Sequence, residues 1–476
     1  MYVYVYTHCV FKYIIFLSQQ FQFRLQDSEY VAGKRIFSIL NKLIVDLRKL
    51  FNFQDYLRSN QLKYIVVLGI IIGLHPTQLI PPENKNERPS FLYKFYSYIL
   101  VFIYISSLIS CYTQLYFLCN MSEPDVVEIT RCIAVANIVN VPMLMLFLIR
   151  QQPHFQKLFK EVFDIEEFFN NADDFKLKEI YEDSVNNYIN NAKILTIFCC
   201  GVAFSLVYKP FSTYRIDRQL SNGLIKVMER PLPLNSWFPY DVQKHFWETY
   251  VFQVLWCVIF GLSVFFSYFV VFCVLFSAIG QLKIIHYILK NFQTYQDKKF
   301  TFSNQFQSDP AEFTFKFCIR KHQQLIRFID TTNDALNLII IMDFLQNSIQ
   351  MTCVLVEIYK CDYISVSLTF YAVSLFTLII YRLIALYYNS NEITVLNELL
   401  INTAYCQINW YHESKHFKFM LNMFIMRCLK PMFIKIGPFG VIGLPSLISG
   451  LIVTILRANL VFHNPYCKTS YTYIEQ

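Results

Sequence analysis

Charged residues are scarce in this chain. Asp, Glu, Lys and Arg make up 16% of its 476 residues, whereas a soluble globular protein contains about 25%. Hydrophobic residues make up 55% and aromatic residues 18%. This composition excludes an ordinary soluble domain and indicates a chain that lies largely in lipid. Because the net charge of +8 is spread along a hydrophobic chain, we predict no nucleic-acid partner.

Motifs that mark common enzymes and metal sites are also missing. The sequence contains no Gly-rich phosphate loop, no nucleophile elbow and no catalytic carboxylate dyad. Its 14 cysteines follow no spacing typical of a disulfide framework or a zinc site, and most lie in apolar segments, where cysteine acts as a small apolar side chain. We therefore predict a protein that is not an enzyme and that uses no cofactor.

Long apolar segments dominate the sequence. Each approaches or exceeds the roughly 17–25 residues that cross a bilayer as a helix. Because apolar and polar residues do not alternate along them, as they do in half-buried strands, the segments favour helices. The sequence therefore predicts an all-α polytopic membrane protein with seven transmembrane helices, at residues 91–119, 124–149, 192–208, 246–280, 335–358, 363–388 and 436–456. The apolar run 64–74 is too short to span, and we predict an interfacial or re-entrant piece there.

The distribution of Lys and Arg predicts the orientation of the chain. Most of these residues fall in regions 1–94, 150–193, 283–321 and 382–435, whereas the short loops 120–123 and 361–362 contain none. Positively charged loops stay in the cytoplasm, so we expect a cytoplasmic N-terminus and an extracellular C-terminus. A heptahelical G-protein-coupled chemoreceptor, the first alternative, requires the opposite orientation.

This orientation defines the predicted domains. Residues 1–90 form a cytoplasmic N-terminal segment, 91–462 form the seven-helix domain, and 463–476 form an extracellular tail. The seven-helix domain includes a large extracellular loop at 209–245 and a cytoplasmic helix at 412–430. Residues 246–290 are longer than a bilayer and 318–336 are polar, so we expect both to extend inward and converge with 412–430.

A literal HExxH motif begins that cytoplasmic helix, at His412, Glu413 and His416. Two histidines four residues apart on one helix can bind zinc, with the glutamate as general base. A membrane zinc protease is therefore the second alternative. Because only Glu475 follows as a further acidic ligand and the flanking residues are polar, we favour a solvated helix start and predict no metal.

Aromatic and amide side chains in the outer halves of helices two to six are the candidate ligand contacts. A mostly apolar cavity with a few polar groups suits a small volatile or lipophilic ligand. Two alternatives stay open, namely aromatic packing against lipid and interhelical hydrogen bonding by Gln346, Asn347, Gln350 and Glu357. The predicted ligand-binding residues are Phe204, Tyr208, Tyr250, Gln253, Trp256, Gln350, Phe370 and Tyr371.

The segment from 404 to 437 resembles the signature of the insect odorant receptor family. It has an A-Y-x-x-x-W-Y-like start, then R-x-x-K-P, then a Gly-containing break. The matching residues are Ala404, Tyr405, Trp410, Tyr411, Arg427, Lys430, Pro431 and Gly437. Weaker resemblances occur at 73–84, 232–241 and 321–330. The chain departs from the family in its longer N-terminus and in the sequence after Ala458.

The resemblance implies an odorant-gated, non-selective cation channel subunit in the plasma membrane of olfactory sensory neurons. Such receptors form hetero-tetramers with a common co-receptor, bind odorant between the outer halves of helices two to six, and line the pore with the final helix. The short predicted inside loop after helix four implies a tuning receptor rather than the co-receptor. The motif residues from Tyr405 to Gly437 would anchor that final helix at the cytoplasmic side.

Overall fold

The computed structural model describes residues 59–74, 91–121, 126–212, 218–220, 223–225, 232–297, 310–360, 366–437, 440–443 and 446. All of these belong to one compact unit, Ser59–Gln476. Their helices are α1 Leu62–Ile71, α2 Phe91–Cys119, α3 Val126–Gln151, α4 Pro153–Asn170, α5 Phe175–Ser212, α6 Phe246–Lys290, α7 Phe292–Asp297, α8 Pro310–Lys360, α9 Val366–Gln407 and α10 Lys415–Cys428.

Six of these helices are long and apolar enough to cross a membrane, namely α2, α3, α5, α6, α8 and α9. They confirm the first six predicted segments, but α5, α8 and α9 extend well beyond the apolar runs. The seventh predicted segment, 436–456, lies mostly outside the described residues, as do the tail 463–476 and residues 1–58. The predicted loop 209–245 contains a small antiparallel hairpin, β1 Arg218–Leu220 and β2 Gly223–Ile225.

Helix α6 forms the centre of the bundle. It packs against α5, α9, α8, α3 and α1, and the stretch from Phe266 to Leu282 is almost entirely buried. A helix that is apolar on all sides is stable only where neighbours surround it, which accounts for the central position of α6. The flanking helices α2 and α3 pack against each other, and α3 also packs against α8.

The short helix α1 is buried in the protein, with only Lys63 and Ile71 partly accessible among its residues. At the N-terminal end of α1, Glu166 of α4 accepts hydrogen bonds from the Ser59 hydroxyl and from the Asn60 N–H. Arg150 of α3 donates to the carbonyl oxygen of Gly73 beyond its C-terminal end, at 3.0 Å. An acid at the start and a base at the end complement the helix dipole. A helix of ten residues is marginal alone, so these contacts stabilise it.

Helices α7, α8 and α10 meet around a cluster of phenylalanines. Phe315 of α8 lies 6.3 Å from Phe292 of α7, 5.0 Å from Phe417 and 5.5 Å from Phe424, measured between ring centres. The last two belong to α10. The predicted convergence of α8 with the 412–430 helix is therefore present in the structure, whereas the contact of α6 with that helix and the cytoplasmic location of the cluster stay predictions.

Polar contacts fix α10 beside this cluster. The side-chain amide of Asn397 in α9 donates to the backbone oxygen of Cys428 at 2.9 Å, and its oxygen lies 3.1 Å from Nε2 of His322. All three residues are buried, and burial raises the pKa of the Cys428 thiol to about 12. The thiol is therefore a neutral packing group at physiological pH, and the network ties the end of α10 to α8 and α9.

Candidate functional site

The signature residues that follow α9 form a compact turn. A 3-10 turn, Trp410–His412, follows α9, and the Trp410 indole Nε1 donates to the Tyr405 carbonyl oxygen at 3.1 Å. The Trp410 ring lies between Tyr405 and Tyr411, at 5.6 and 4.7 Å from their ring centres. Lys418 of α10 donates to the Tyr411 carbonyl oxygen at 2.8 Å. These aromatic residues therefore reverse the chain between α9 and α10.

The HExxH motif does not lie on a single helix. His412 ends the 3-10 turn, and α10 begins at Lys415 with Ser414 as its N-cap, whose hydroxyl accepts from the Phe417 N–H at 3.0 Å. His416 Nε2 lies 3.4 Å from a Glu312 carboxylate oxygen. The zinc arrangement needs both histidines on one helical face. Within the described ranges, no group of three or more metal-binding side chains comes together.

The chain after α10 is described at residues 431–437 and 440–443, and we call this part the connector 431–443. Pro431 follows the helix, as expected of a residue that cannot continue it, with Arg427 in the last helical turn. The chain then folds back on itself. The Ile436 N–H donates to the Gly440 oxygen and the Ile442 N–H donates to the Ile434 oxygen, both at 2.8 Å.

Side chains of α8 and α9 fasten this connector. The Asn333 amide nitrogen donates to the Phe433 oxygen at 3.2 Å, and its oxygen accepts from the Lys435 N–H at 2.9 Å. The Thr394 hydroxyl of α9 donates to the Met432 oxygen at 2.9 Å. Asn333 thus satisfies one backbone acceptor and one backbone donor, as a neighbouring strand would.

Gly437, the last residue of the signature, has a φ of +49°. A Cβ added there would lie 2.2 Å from Ile341 Cδ1 and 2.8 Å from Ile341 Cγ1. Residues with side chains rarely adopt this φ, and the space beside α8 is already filled. Both conditions require glycine, and they give the sequence signature a physical basis at this position.

Three predicted ligand residues, Tyr250, Gln253 and Trp256, lie buried on successive turns of α6. Gln253 accepts from the Leu234 N–H at 3.1 Å and donates to the Leu234 oxygen at 3.0 Å and to the Ser236 hydroxyl at 2.8 Å. Its amide is therefore fully occupied by the loop that precedes α6. In this structure Gln253 fixes that loop.

The loop segment 232–245 contacts three helices of the bundle. The Trp237 N–H donates to the Ser110 oxygen of α2 at 3.3 Å, and the Cys132 thiol of α3 donates to the Asn235 oxygen at 3.5 Å. Phe238 stacks on Trp256 of α6 with ring centres 6.0 Å apart. The segment has no regular secondary structure, as its proline-rich sequence predicts, yet it is tied to α2, α3 and α6.

The remaining predicted aromatic residues occupy more open positions. Phe204 and Tyr208 of α5 are 64% and 51% exposed and stack on each other with ring centres 5.9 Å apart. Phe370 of α9 is 51% exposed, and Tyr371 is half-buried. The structure does not bring these side chains into the interior with Trp256. Tyr250 links the two groups, because its hydroxyl donates to the Val207 oxygen at 3.0 Å.

Several buried polar atoms on α3, α6 and α8 have no hydrogen-bond partner among the described residues. They are Asn137 Nδ2, Trp256 Nε1, Gln346 Oε1, and both Gln350 Oε1 and Nε2. These three helices pack pairwise against one another. Burying a polar group without a hydrogen bond is unfavourable, so the region is suited to a partner that carries polar atoms. Gln350 was a predicted site residue, whereas the sequence reasoning missed Asn137.

An ion pair joins α8 to α9 deeper in the bundle. Arg382 Nη2 lies 3.1 Å from Asp343 Oδ1, and its guanidinium carbon lies 4.5 Å from the centre of the Tyr268 ring in α6. The Asn347 amide donates to the other Asp343 oxygen at 3.1 Å. Arg382, Asp343 and Tyr268 border a cavity of about 30 Å³, large enough for water only. The available sequence signal was a single arginine in the apolar run IIYRLIALYY.

A wider groove opens on the outer surface between α2 and α3. Its volume is about 580 Å³, and it is lined by Ile105, Leu108, Ile109, Tyr112, Thr113, Tyr116 and Met143. The Asn140 amide of α3 donates to the Tyr112 hydroxyl at 2.9 Å beside it. Since the lining is nearly all apolar and α2 is one of the membrane-spanning helices, hydrocarbon is its natural surrounding.

Comparisons with known proteins identify relatives of this arrangement. A family model described as "7tm Odorant receptor" matches residues 126–454. The insect olfactory receptor OR5 from Machilis hrabei is similar in structure, with a TM-score of 0.65 and 13% identity over 88% of this chain and 99% of that chain. Its complex with eugenol gives a TM-score of 0.67 and 13% identity over 85% and 99% of the two chains. No curated protein sequence matches the chain. The likeness confirms the predicted helical membrane fold.

Proposed function

Because this chain belongs to the 7tm odorant receptor family, we propose that it is the ligand-binding subunit of an odorant-gated, non-selective cation channel. We place it in the plasma membrane of olfactory sensory neurons, with a cytoplasmic N-terminus and an extracellular C-terminus. Ligand binding favours the open arrangement of the final helix through a difference in affinity between two states. A G-protein-coupled receptor would have its termini on the opposite sides, which epitope tags on both ends distinguish.

The proposed ligand site lies between α3, α6 and α8, below the loop segment 232–245. The observation that carries this proposal is Gln350, which is 2% exposed and whose amide oxygen and nitrogen both lack partners among the described residues. The ligand is a small lipophilic molecule with a hydrogen-bonding group, which completes the contacts of Gln350 and Trp256. Aromatic side chains around Trp256 supply the apolar remainder of the site.

The proposed partner is a co-receptor subunit in a hetero-tetramer. The outer face of α10 supports this, because Phe419, Met423 and Met426 are 62%, 49% and 47% exposed. Their spacing of four and three residues places them on one side of the helix. An apolar stripe of this kind marks an interaction surface when it lies outside the membrane, as α10 does in the proposed topology.

The test is co-expression with a co-receptor in oocytes, followed by voltage clamp with an odorant panel. Eugenol, with which the Machilis hrabei receptor was solved, is a first probe in that panel. For a hydrogen-bonding odorant that activates the receptor, Gln350→Leu should raise the half-maximal concentration about tenfold, which corresponds to about 1.4 kcal/mol. For an apolar odorant the same variant should leave that concentration unchanged or lower it.

The exposed candidates serve as a comparison in the same assay. Phe204→Ala and Phe370→Ala change side chains on the outer surface, and unchanged half-maximal concentrations would remove both from the ligand site. Silence of the wild-type receptor across a broad panel, despite surface expression, would contradict the channel function. Equal effects of Gln350→Leu on polar and apolar odorants would contradict the role of Gln350.

A further inference from the structure

We propose that Asn333 is a positioning residue that couples movement of α8 to the connector 431–443, and through it to the final helix. This inference rests on the proposed channel function. The side chain of Asn333 is 8% exposed and holds both the Phe433 oxygen and the Lys435 N–H. Two hydrogen bonds from one amide fix the connector in both position and register against α8.

The same helix carries the proposed ligand contact. Gln350 lies seventeen residues beyond Asn333 in the uninterrupted helix α8, a separation of about 25 Å at 1.5 Å per residue. A ligand that shifts or rotates α8 at Gln350 therefore moves Asn333 with it. Because a helix of this kind behaves as a rigid element, the connector has to follow or the two hydrogen bonds have to break.

Breaking the bonds is unfavourable because the connector is buried on both sides of them. Ile434 and Ile436 are each 3% exposed, and they flank the Lys435 N–H that Asn333 holds. A buried donor or acceptor that is left without a partner destabilises the protein by the full free energy of its desolvation. The connector therefore follows α8, whereas the Thr394 bond to the Met432 oxygen ties its first residues to α9. Relative movement of α8 and α9 then changes the path of the chain into the final helix.

The test compares three variants. Asn333→Leu has a similar size and removes both hydrogen bonds, Asn333→Gln keeps a side-chain amide, and Asn186→Leu makes the same chemical change at an exposed position on α5. Each is measured as ligand-evoked current per receptor at the cell surface, and as ligand binding by the ligand-induced rise in melting temperature of purified receptor. A merely structural role would lower the number of receptors and leave the current per receptor unchanged.

We expect Asn333→Leu to lower the maximal current per surface receptor at least about fivefold while ligand binding persists. Asn333→Gln should restore part of the current, and Asn186→Leu should match the wild type. Wild-type current per receptor in Asn333→Leu, or a parallel loss of binding and current, would overturn the inference.

Hydrogen exchange of the purified receptor tests the two hydrogen bonds between Asn333 and the connector without a current measurement. Amides in 432–437 should exchange about fivefold faster in Asn333→Leu than in the wild type, and Asn186→Leu should leave them unchanged. Unaltered exchange would overturn the proposal. A silent wild-type receptor with faster exchange in Asn333→Leu would instead refute the channel function, leaving Asn333 a structural contact only.

Discussion

Replacing Gly437 with alanine should destabilise the connector through two separate effects. The first is the backbone, since a φ of +49° costs a residue with a side chain about 1–2 kcal/mol. The second is steric, since the new Cβ would lie 2.2 Å from Ile341 Cδ1. Overpacking of this kind costs about 1–3 kcal/mol. We therefore expect Gly437→Ala to lower stability by about 2–5 kcal/mol.

The assay is the apparent melting temperature of the detergent-solubilised receptor. An unfolding entropy of about 2.1 cal/mol/K per residue gives a chain of 476 residues a shift of about 1 °C per kcal/mol. The expected fall is thus about 2–5 °C. Lower surface expression should accompany it, because a less stable receptor is degraded more readily.

A second substitution separates the two effects. Ile341→Val removes Cδ1, the atom closest to the added Cβ, and on its own costs about 0.5–1.5 kcal/mol. In the double variant the steric part should shrink while the backbone part remains, so the two single effects should not add. Wild-type stability in Gly437→Ala, or strict additivity in the double variant, would refute the packing argument.

Two further predictions concern buried charges. Burial raises the pKa of Glu166 above its ordinary value of 4.5, and the hydrogen bonds that it accepts from Ser59 and Asn60 act in the opposite direction. Because the pKa is higher in the folded state, Glu166 should contribute most to stability below pH 4.5. Its contribution should fall as the pH rises through the raised pKa. Glu166→Gln should remove that part of the pH dependence, measured as the difference between the melting temperatures of wild type and variant from pH 4 to pH 8; parallel profiles would contradict it. Arg382→Met should leave the largely buried Asp343 without its cationic partner and cost about 3–5 kcal/mol, and adding Asp343→Leu should recover most of the loss in melting temperature and surface expression. No recovery in the double variant would show that the ion pair is not what the single substitution disrupts.

The sequence predicted the membrane-spanning helices well because lipid imposes a simple composition. The predicted segment 91–119 coincides with α2, and 124–149 differs from α3 by two residues at each end. Hydropathy could not predict how far α5, α8 and α9 continue beyond the membrane, because their polar turns are stabilised by neighbouring helices. Phe315, for example, packs α8 against α10, yet it lies twenty residues before the predicted apolar part of that helix, which begins at residue 335.

The candidate site was harder to predict than the fold. Aromatic residues are common on lipid-facing and interior surfaces alike, so composition could not separate exposed Phe204 from buried Trp256. Gln253 and Gln350 are both buried amides in spanning helices, yet the first is fully hydrogen-bonded by the loop and the second has no partner among the described residues. That difference depends on which backbone groups lie opposite, which a single sequence does not encode locally.

The HExxH motif is a sequence pattern that suggests a zinc-binding geometry which the chain does not adopt. Ser414, between the two histidines, acts as an N-cap and starts a new helix there. Serine is among the preferred N-cap residues, so this break could have been predicted from the sequence. A spacing argument for metal binding needs the helix to be continuous across the whole motif.

Helix length gives the bundle a mechanical property. Helix α8 has 51 residues, a span of about 77 Å at 1.5 Å per residue, whereas the hydrocarbon core is about 30 Å thick. More than half of α8 therefore extends beyond the hydrocarbon core, so a small rotation of the helix produces a large displacement far from the pivot. A rotation of 5° about a pivot at Gln350 would move Asn333, which lies about 25 Å away along α8, by about 2 Å. In the proposed function, an odorant that tilts α8 only slightly at Gln350 is therefore sufficient to displace Asn333 and the connector 431–443.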